Sequence, residues 1–284
     1  MENIYVKKNH REFLLLQKAK NVKYTKAKKI VYSSMIASIV GTIFFAVSTA
    51  FIASELLLVF SSFFAIVIFS VGEFFKKKSN DLISEAAKMQ QTIDINLFGL
   101  SDTCFTLSPL EIKEATASYV EEDLSEFENW YNDYSSLSVE KQIFNSQKKN
   151  TRLDKTLRKK YSNFTLFFIL ILPLILALYA ILTNASTSHF FAIASWLFPL
   201  EQFFIVQWIG LRGNLLFLDK MENVYKEYER CLAGDLSKGV DCKLCSIQNY
   251  IYNHRQSAIL VPDWFYNLHK KKLRVYEDNL AKEL

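Results

Sequence analysis

"NSQKKNTRLDKTLRKKYSNFTLFFILILPLI" (residues 145–175) passes from a strongly polar run to an apolar one with no Gly or Pro at the join. On a helix of 3.6 residues per turn, Gln147, Asn150, Asp154, Leu157, Arg158 and Tyr161 recur at helical spacings and share one face. A polar stripe that continues directly into an apolar helix reads as a sensing surface coupled rigidly to a membrane span.

The same alternation of polar and apolar stretches organises the whole chain of 284 residues. Half of the residues are hydrophobic, yet the mean hydropathy is only +0.07, because charged and uncharged segments average out. Residues 30–54 contain no Asp, Glu, Lys or Arg, and after Glu55 a second uncharged run extends to Gly72. Ser162 to Thr183 and Phe190 to Leu200 form another such pair, the latter continuing past Glu201 to Leu211. Each is close to the roughly 20 residues a helix needs to cross a bilayer. A cleavable signal peptide fits the first run poorly, because a long basic tail precedes it and a second span follows at once.

Charge distribution sets the expected orientation. Of the 34 Lys and Arg residues, 9 lie in residues 1–29, 13 in residues 73–163 and 12 in residues 212–284. Neither hairpin tip, 48–55 or 183–189, carries any, which is the asymmetry expected when basic segments stay in the cytosol. The expected fold is an all-α integral membrane protein with four transmembrane helices arranged as two hairpins. A helical cytosolic region separates spans 2 and 3, and a helical cytosolic region closes the chain. The segments are a basic N-terminal helix (1–29), a first hairpin (30–75), a sensor region (76–161), a second hairpin (162–211) and a C-terminal region (212–284). Both termini and the central region are therefore expected in the cytosol.

Local signals favour helix in the polar parts. In "SPLEIKEATASYVEEDLSEFENWYNDY", Ser108 is an N-cap, Pro109 takes the first helical position and Glu111 closes a capping box. The acidic run of Glu121, Glu122, Asp123, Glu126 and Glu128 reads as a solvated face. Cys231, Cys242, Cys245 and His254 allow a zinc set with one CxxC, but a lone CxxC is common. With Cys104 also in a cytosolic part, reduced thiols and no metal or cofactor are expected.

The string "QKKNTRLDKTLRKKY" (147–161) resembles the signature of the SMODS-associated four-transmembrane effectors of bacterial cyclic-oligonucleotide anti-phage systems. Gln147, Asn150, Asp154, Leu157, Arg158 and Tyr161 match, whereas Lys148 and Leu153 stand where Arg and Trp are usual. "YTKAKK" (24–29), "IDINLFGL" (93–100), "WY" (130–131) and "PDWFY" (262–266) are similar to family segments and occur in the family order. Ser101 and Asp102 replace the family's Pro-Trp. The resemblance implies a membrane effector that a cyclic oligonucleotide activates to oligomerise and permeabilise the inner membrane, causing abortive infection. A partner nucleotidyltransferase would make that ligand; no nucleic-acid polymer is implied.

Such a ligand needs cations for its phosphates, flat side chains for its bases, and amides or carboxylates for base edges. Gln147, Asn150, Arg152, Asp154, Arg158 and Tyr161 offer these, with Trp130, Tyr131, Trp264 and Tyr266 as stacking candidates. Equally, Asp154 and Arg158 are four apart in the order that favours a helix ion pair, so the same residues suit packing and anchoring. Within the spans, Ser33, Ala37 and Gly41 form a small-residue stripe suited to helix packing. Glu201 is the leading pore-lining residue, with Gln202 beside it, because a carboxylate at membrane depth needs water or protein around it. No zincin or deaminase spacing occurs among the four histidines and no phosphate-loop pattern among the seven glycines, so an enzyme is not expected. A constitutive channel or transporter and a non-conducting scaffold are the rival readings.

Overall fold

The structure, a computed structural model, describes residues 9–51, 55–100, 105–128, 134, 136–184, 186–233 and 240–282. These form seven α-helices and two short 3-10 turns, with no strand among the described residues. Four helices are very long: α1 (Arg11–Phe51), α2 (Glu55–Phe98), α4 (Val139–Thr183) and α5 (Thr187–Ala233). The others are α3 (Pro109–Thr116), α6 (Val240–Ser257) and α7 (Asp263–Lys282). At 1.5 Å per residue each long helix reaches about 60–70 Å, roughly twice the thickness of a bilayer's hydrocarbon core. The polar run at 145–160 and the apolar run after it therefore belong to one unbroken helix, α4.

Helices α1 and α2 pair antiparallel, as do α4 and α5. In the second pair Phe144 meets Tyr228, Arg158 meets Asn214 and Phe168 stacks on Phe204, which fixes the register along its length. In the first, Lys23 meets Glu85 and the Ser79 hydroxyl donates to the Ala27 carbonyl at 3.2 Å. Ala27 and Ser79 are both fully buried, so these small residues let α1 and α2 pack closely at this point. Ser33 and Ala37 are exposed and Gly41 half-buried, which turns most of that stripe away from its own subunit.

The two hairpins point the same way. Lys20 on α1 is tied through Gln90, Asp94 and Gln248 to Gln147 on α4, and twelve residues further along α1 Tyr32 reaches Tyr161, fourteen residues further along α4. Both tips therefore lie at one end of the molecule, and these polar contacts between the hairpins lie towards the other. Asn184 ends α4 in the left-handed conformation (φ 49°, ψ 43°), a turn that Asn tolerates better than most residues. Gly99 (φ 65°) ends α2, and Leu100 N–H returns to the Ile95 carbonyl to cap it.

Towards the tips, the long helices expose large apolar side chains: Ile36 and Val40 on α1, Phe63 and Val67 on α2, Leu170 and Leu174 on α4, Phe191 and Phe198 on α5. Among the described residues, α4 is the one helix long and apolar enough to cross a membrane, with an 18-residue stretch of mean hydropathy 2.8 that is only 6% buried. Such exposure suits lipid and not water.

At the polar end a core of Leu97, Phe98, Phe144, Met221, Tyr225, Tyr228, Leu244 and Ile247 joins the hairpins through α6, which packs against α2, α4 and α5. The capping box at Ser108 and Glu111 is present, and hydrogen bonds from Ser108 with the Lys88 ammonium hold the Glu111 carboxyl down to about 2. The helix it opens is short. Helix α3 ends at Thr116 and gives way to 3-10 turns at Ala117–Tyr119 and Ser125–Phe127. Asp123 accepts from the Ser125 N–H and hydroxyl, both at 3.0 Å, a local alternative to helical bonding. That turn places Leu124 and Phe127 against Leu14 of α1, and Lys18 pairs with Glu122 and Glu126 of the acidic run.

Candidate functional site

Where α6 wedges between the hairpins, the contacts become polar. Asp94 on α2, its side chain 2% exposed, accepts from Arg255 Nη1 at 2.6 Å, Gln248 Nε2 at 3.0 Å and Gln90 Nε2 at 2.7 Å. Gln248 also donates to Gln91 Oε1 (2.9 Å), and its own Oε1 accepts from Gln147 Nε2 (3.0 Å). One buried amide on α6 thus joins α2 to α4. Helix α1 enters through Lys20, whose Nζ donates to Gln90 Oε1 at 2.8 Å. Burial, reinforced by the nearby Arg255 charge and only partly offset by Asp94, lowers the Lys20 ammonium to about 7.

That shift has a measurable sign. Between about 7 and the ordinary value of 10.5, the unfolded chain holds a proton on Lys20 that the folded chain has released. Stability therefore rises with pH across this window, and the gain is lost as the pH falls towards 7. Lys20→Met should flatten the rise, read as the difference in thermal midpoint in detergent at about pH 7 and about pH 9. Equal slopes for parent and variant would show that Lys20 is not desolvated.

About two turns along α4 towards the tips lies a second cluster. Asp154 accepts from Arg158 Nε at 2.7 Å, and its other contact, His254 Nε2 at 2.8 Å, must donate to the ionised carboxylate. Burial alone would raise this carboxyl, but the Arg158 charge and the His254 bond outweigh it and hold it well below the usual range. Arg158 Nη1 also donates to Asn214 Oδ1 (3.1 Å) and to the Ile259 carbonyl (2.5 Å). Asn214 Oδ1 takes the Ile259 N–H at 2.9 Å, and the His254 ring stacks on Phe217. Tyr24, between the two carboxylate clusters, is pushed up to about 12 by burial.

The third level is aromatic. Tyr161 packs on Phe265 and Phe164, and the Tyr32 hydroxyl donates to the Leu260 carbonyl at 2.7 Å. Arg158, Asn214 and Tyr32 thus fasten the short strap 258–262 across α1, α4 and α5. Gly210 permits the strap's approach: a Cβ there would lie 2.7 Å from Ile259 Cδ1.

The residues expected to form the site divide accordingly. Gln147, Asp154, Arg158 and Tyr161 do come together on one face, but Gln147 (1% exposed), Arg158 (7%) and Tyr161 (2%) are committed to protein partners. Asn150 is half-buried, and Arg152, also half-buried, lines a groove of about 200 Å³ between α4 and α5 with Lys148, Lys155, Lys226, Glu222 and Glu229. Lys148–Glu229 and Lys155–Asp219 pairs already span this groove. Trp264 is exposed and edge-on to Phe164, and Tyr266 lies under the Lys270 ammonium; neither faces Gln147 or Asp154. Trp130, Tyr131 and Cys104 fall outside the described residues, as do the side chains of Cys231 and Cys242. Of the remaining zinc candidates, Cys245 is buried and His254 serves Asp154. On α5, Glu201 and Gln202 are half-buried; Glu201 Oε2 and Gln207 Oε1 are buried without hydrogen-bond partners.

Sequence reasoning missed Asp94, Gln90, Gln91, Asn214, Gln248 and Arg255. Their partners are distant in the chain, and a buried amide leaves no periodic mark. Asp94 alone had a signal, since it lies in the family-like segment 93–100.

A chain whose described residues are helical, with a lipid-suited end and a polar cluster at the other, is a membrane protein built from long hairpins. More particularly, the chain belongs to the family of the SMODS-associating 4TM effector domain, whose family model matches residues 2–284. It is thus an effector domain associated with SMODS-type signalling systems. No curated protein and no solved structure matches it.

Proposed function

We propose that this chain is a ligand-gated membrane effector of anti-phage defence. A cyclic oligonucleotide, made by a partner nucleotidyltransferase, binds at the polar end, and the subunits oligomerise and permeabilise the inner membrane without catalysing a reaction. The observation that carries this reading is the continuity of α4: the residues that hold Gln248, His254 and the strap lie on the same helix as the apolar stretch, and Pro173 lies well beyond the join. Gln147, Asp154, Arg158 and Tyr161 act as a latch whose rearrangement moves the spans. Arg152 and the lysines of the neighbouring groove supply cations for phosphates. Four spans, with both tips on the far side of the membrane and both termini in the cytosol, agree with the parallel hairpins and the basic residues gathered at the other end. Ser33 and Ala37, exposed on α1, leave a small-residue face for a neighbouring copy.

In cells, the test is membrane potential. Cells carrying the chain should depolarise only when a cyclic oligonucleotide is also synthesised. Depolarisation without it would favour a constitutive channel, and none under either condition a non-conducting scaffold.

A further inference from the structure

Helix α7 has three faces. Phe265 and Leu273 are buried and His269 half-buried on one, while Trp264, Leu268 and Val275 are exposed on the next, 54%, 67% and 54% respectively. Asn267 and Lys270 share the third by helical spacing, and Lys271 and Lys272 flank the exposed apolar row. Apolar side chains this exposed, on a helix rich in lysine, need an explanation that its packing on α4 does not provide.

Position supplies it. Asp263, at the start of α7, pairs with Lys28, one residue before the last cation preceding the uncharged run of α1. Phe265 lies on Tyr161, where the charges of α4 give out, and shares a cluster with Leu211, the last residue before Arg212 on α5. Trp264 touches Phe164 inside the apolar stretch. The helix therefore starts at the level where three long helices change from charged to lipid-suited, with exposed Lys29, Lys159 and Arg212 at the same level.

We propose that α7 is an interfacial helix. Trp264, Leu268 and Val275 enter the boundary between headgroups and acyl chains, and Lys271 and Lys272, which flank them, bind the headgroups of anionic phospholipids. This rests on the reading that the tips of the hairpins are in a membrane. It adds that the strap fastened by Arg158 connects the latch to a lipid-bound element, so that latch movement and lipid composition are coupled.

The test uses the full chain in vesicles of phosphatidylethanolamine and phosphatidylglycerol, with photoreactive benzoylphenylalanine in place of Leu268 or, separately, Asn267. Irradiation should yield lipid adducts at position 268 about fivefold above those at 267. Replacing Lys271 and Lys272 together by Gln should bring the phosphatidylglycerol share of those adducts down to its mole fraction. Equal capture at both positions, or capture of a second copy at 268, overturns the proposal, and an unchanged lipid share overturns the headgroup contact. If the protein floats with vesicles but 268 takes no lipid, α7 alone is misassigned. Failure to float would overturn the membrane reading and this proposal together.

Discussion

Arg158→Ala is expected to destabilise the polar end by roughly 3–5 kcal/mol, the range for removing one partner of a buried ion pair. Three losses coincide. Asp154 keeps only His254, while Asn214 Oδ1 and the Ile259 carbonyl each lose a charged donor. Asn214 is buried, so its cost is not recovered from water, whereas Asp154, with 31% of its side chain exposed, recovers part of its own and keeps the loss at the low end of that range. Arg158→Lys should restore only part, since an ammonium cannot reproduce a guanidinium that addresses Asp154 through Nε and the other two through Nη1. Replacing Asp154 and Arg158 together by Leu and Met should be milder than Arg158→Ala, because no lone charge is left buried. Denaturant unfolding in detergent gives the ranking. In cells the alanine variant should still insert, because the apolar stretch is untouched, yet lose ligand-triggered toxicity. Parental stability and toxicity at equal membrane abundance would show that these residues form no latch.

Glu201→Leu is expected to abolish ligand-triggered leakage while inserting at least as well as the parent. Glu201 lies fourteen residues into α5, about 21 Å from its start, deep enough for a bilayer. A carboxylate left in lipid costs ~2.5–3.5 kcal/mol on insertion scales, so its place is against water or a partner. In the subunit, Glu201 Oε2 is buried and has no hydrogen-bond partner, and Gln207 Oε1 is in the same position further along the helix. A pore or a subunit interface would give both something to bind. An apolar constriction dewets where a carboxylate holds water and cations, hence the loss with Leu; Glu201→Gln should keep leakage with weaker cation preference. Leakage and ion selectivity identical to the parent in both variants would take Glu201 out of the conduction path.

These two sites differ in how they could be read from sequence. Glu201 was visible because a charge interrupts an apolar run, and α4 because its polar run joins an apolar one with no Gly or Pro at the join; α2 and α5 carry Gly72, Gly210 and Gly213 at the corresponding places and are helical nonetheless. The N-terminus of α3 was equally legible, since Ser108, Pro109 and Glu111 each satisfy a local rule. The segment after α3 was not legible: the docking of Leu124 and Phe127 around the Asp123 turn depends on Leu14, more than a hundred positions away. The motif face was found as a stripe, but its meaning was not settled by spacing. Helical periodicity says that Gln147, Arg158 and Tyr161 look the same way. Only the insertion of α6 and the strap shows that they look at Gln248, Ile259 and Phe265.

Ligand-dependent dye release tests the central claim most directly. Purified chain is reconstituted into vesicles holding a self-quenched dye, and cyclic di- and trinucleotides are added one at a time. Release should follow the addition of at least one cyclic oligonucleotide, saturate with its concentration, fail with the corresponding linear oligonucleotide, and disappear with Arg158→Ala. Release that is the same with and without every cyclic oligonucleotide, or no release from vesicles shown to contain inserted protein, would contradict it.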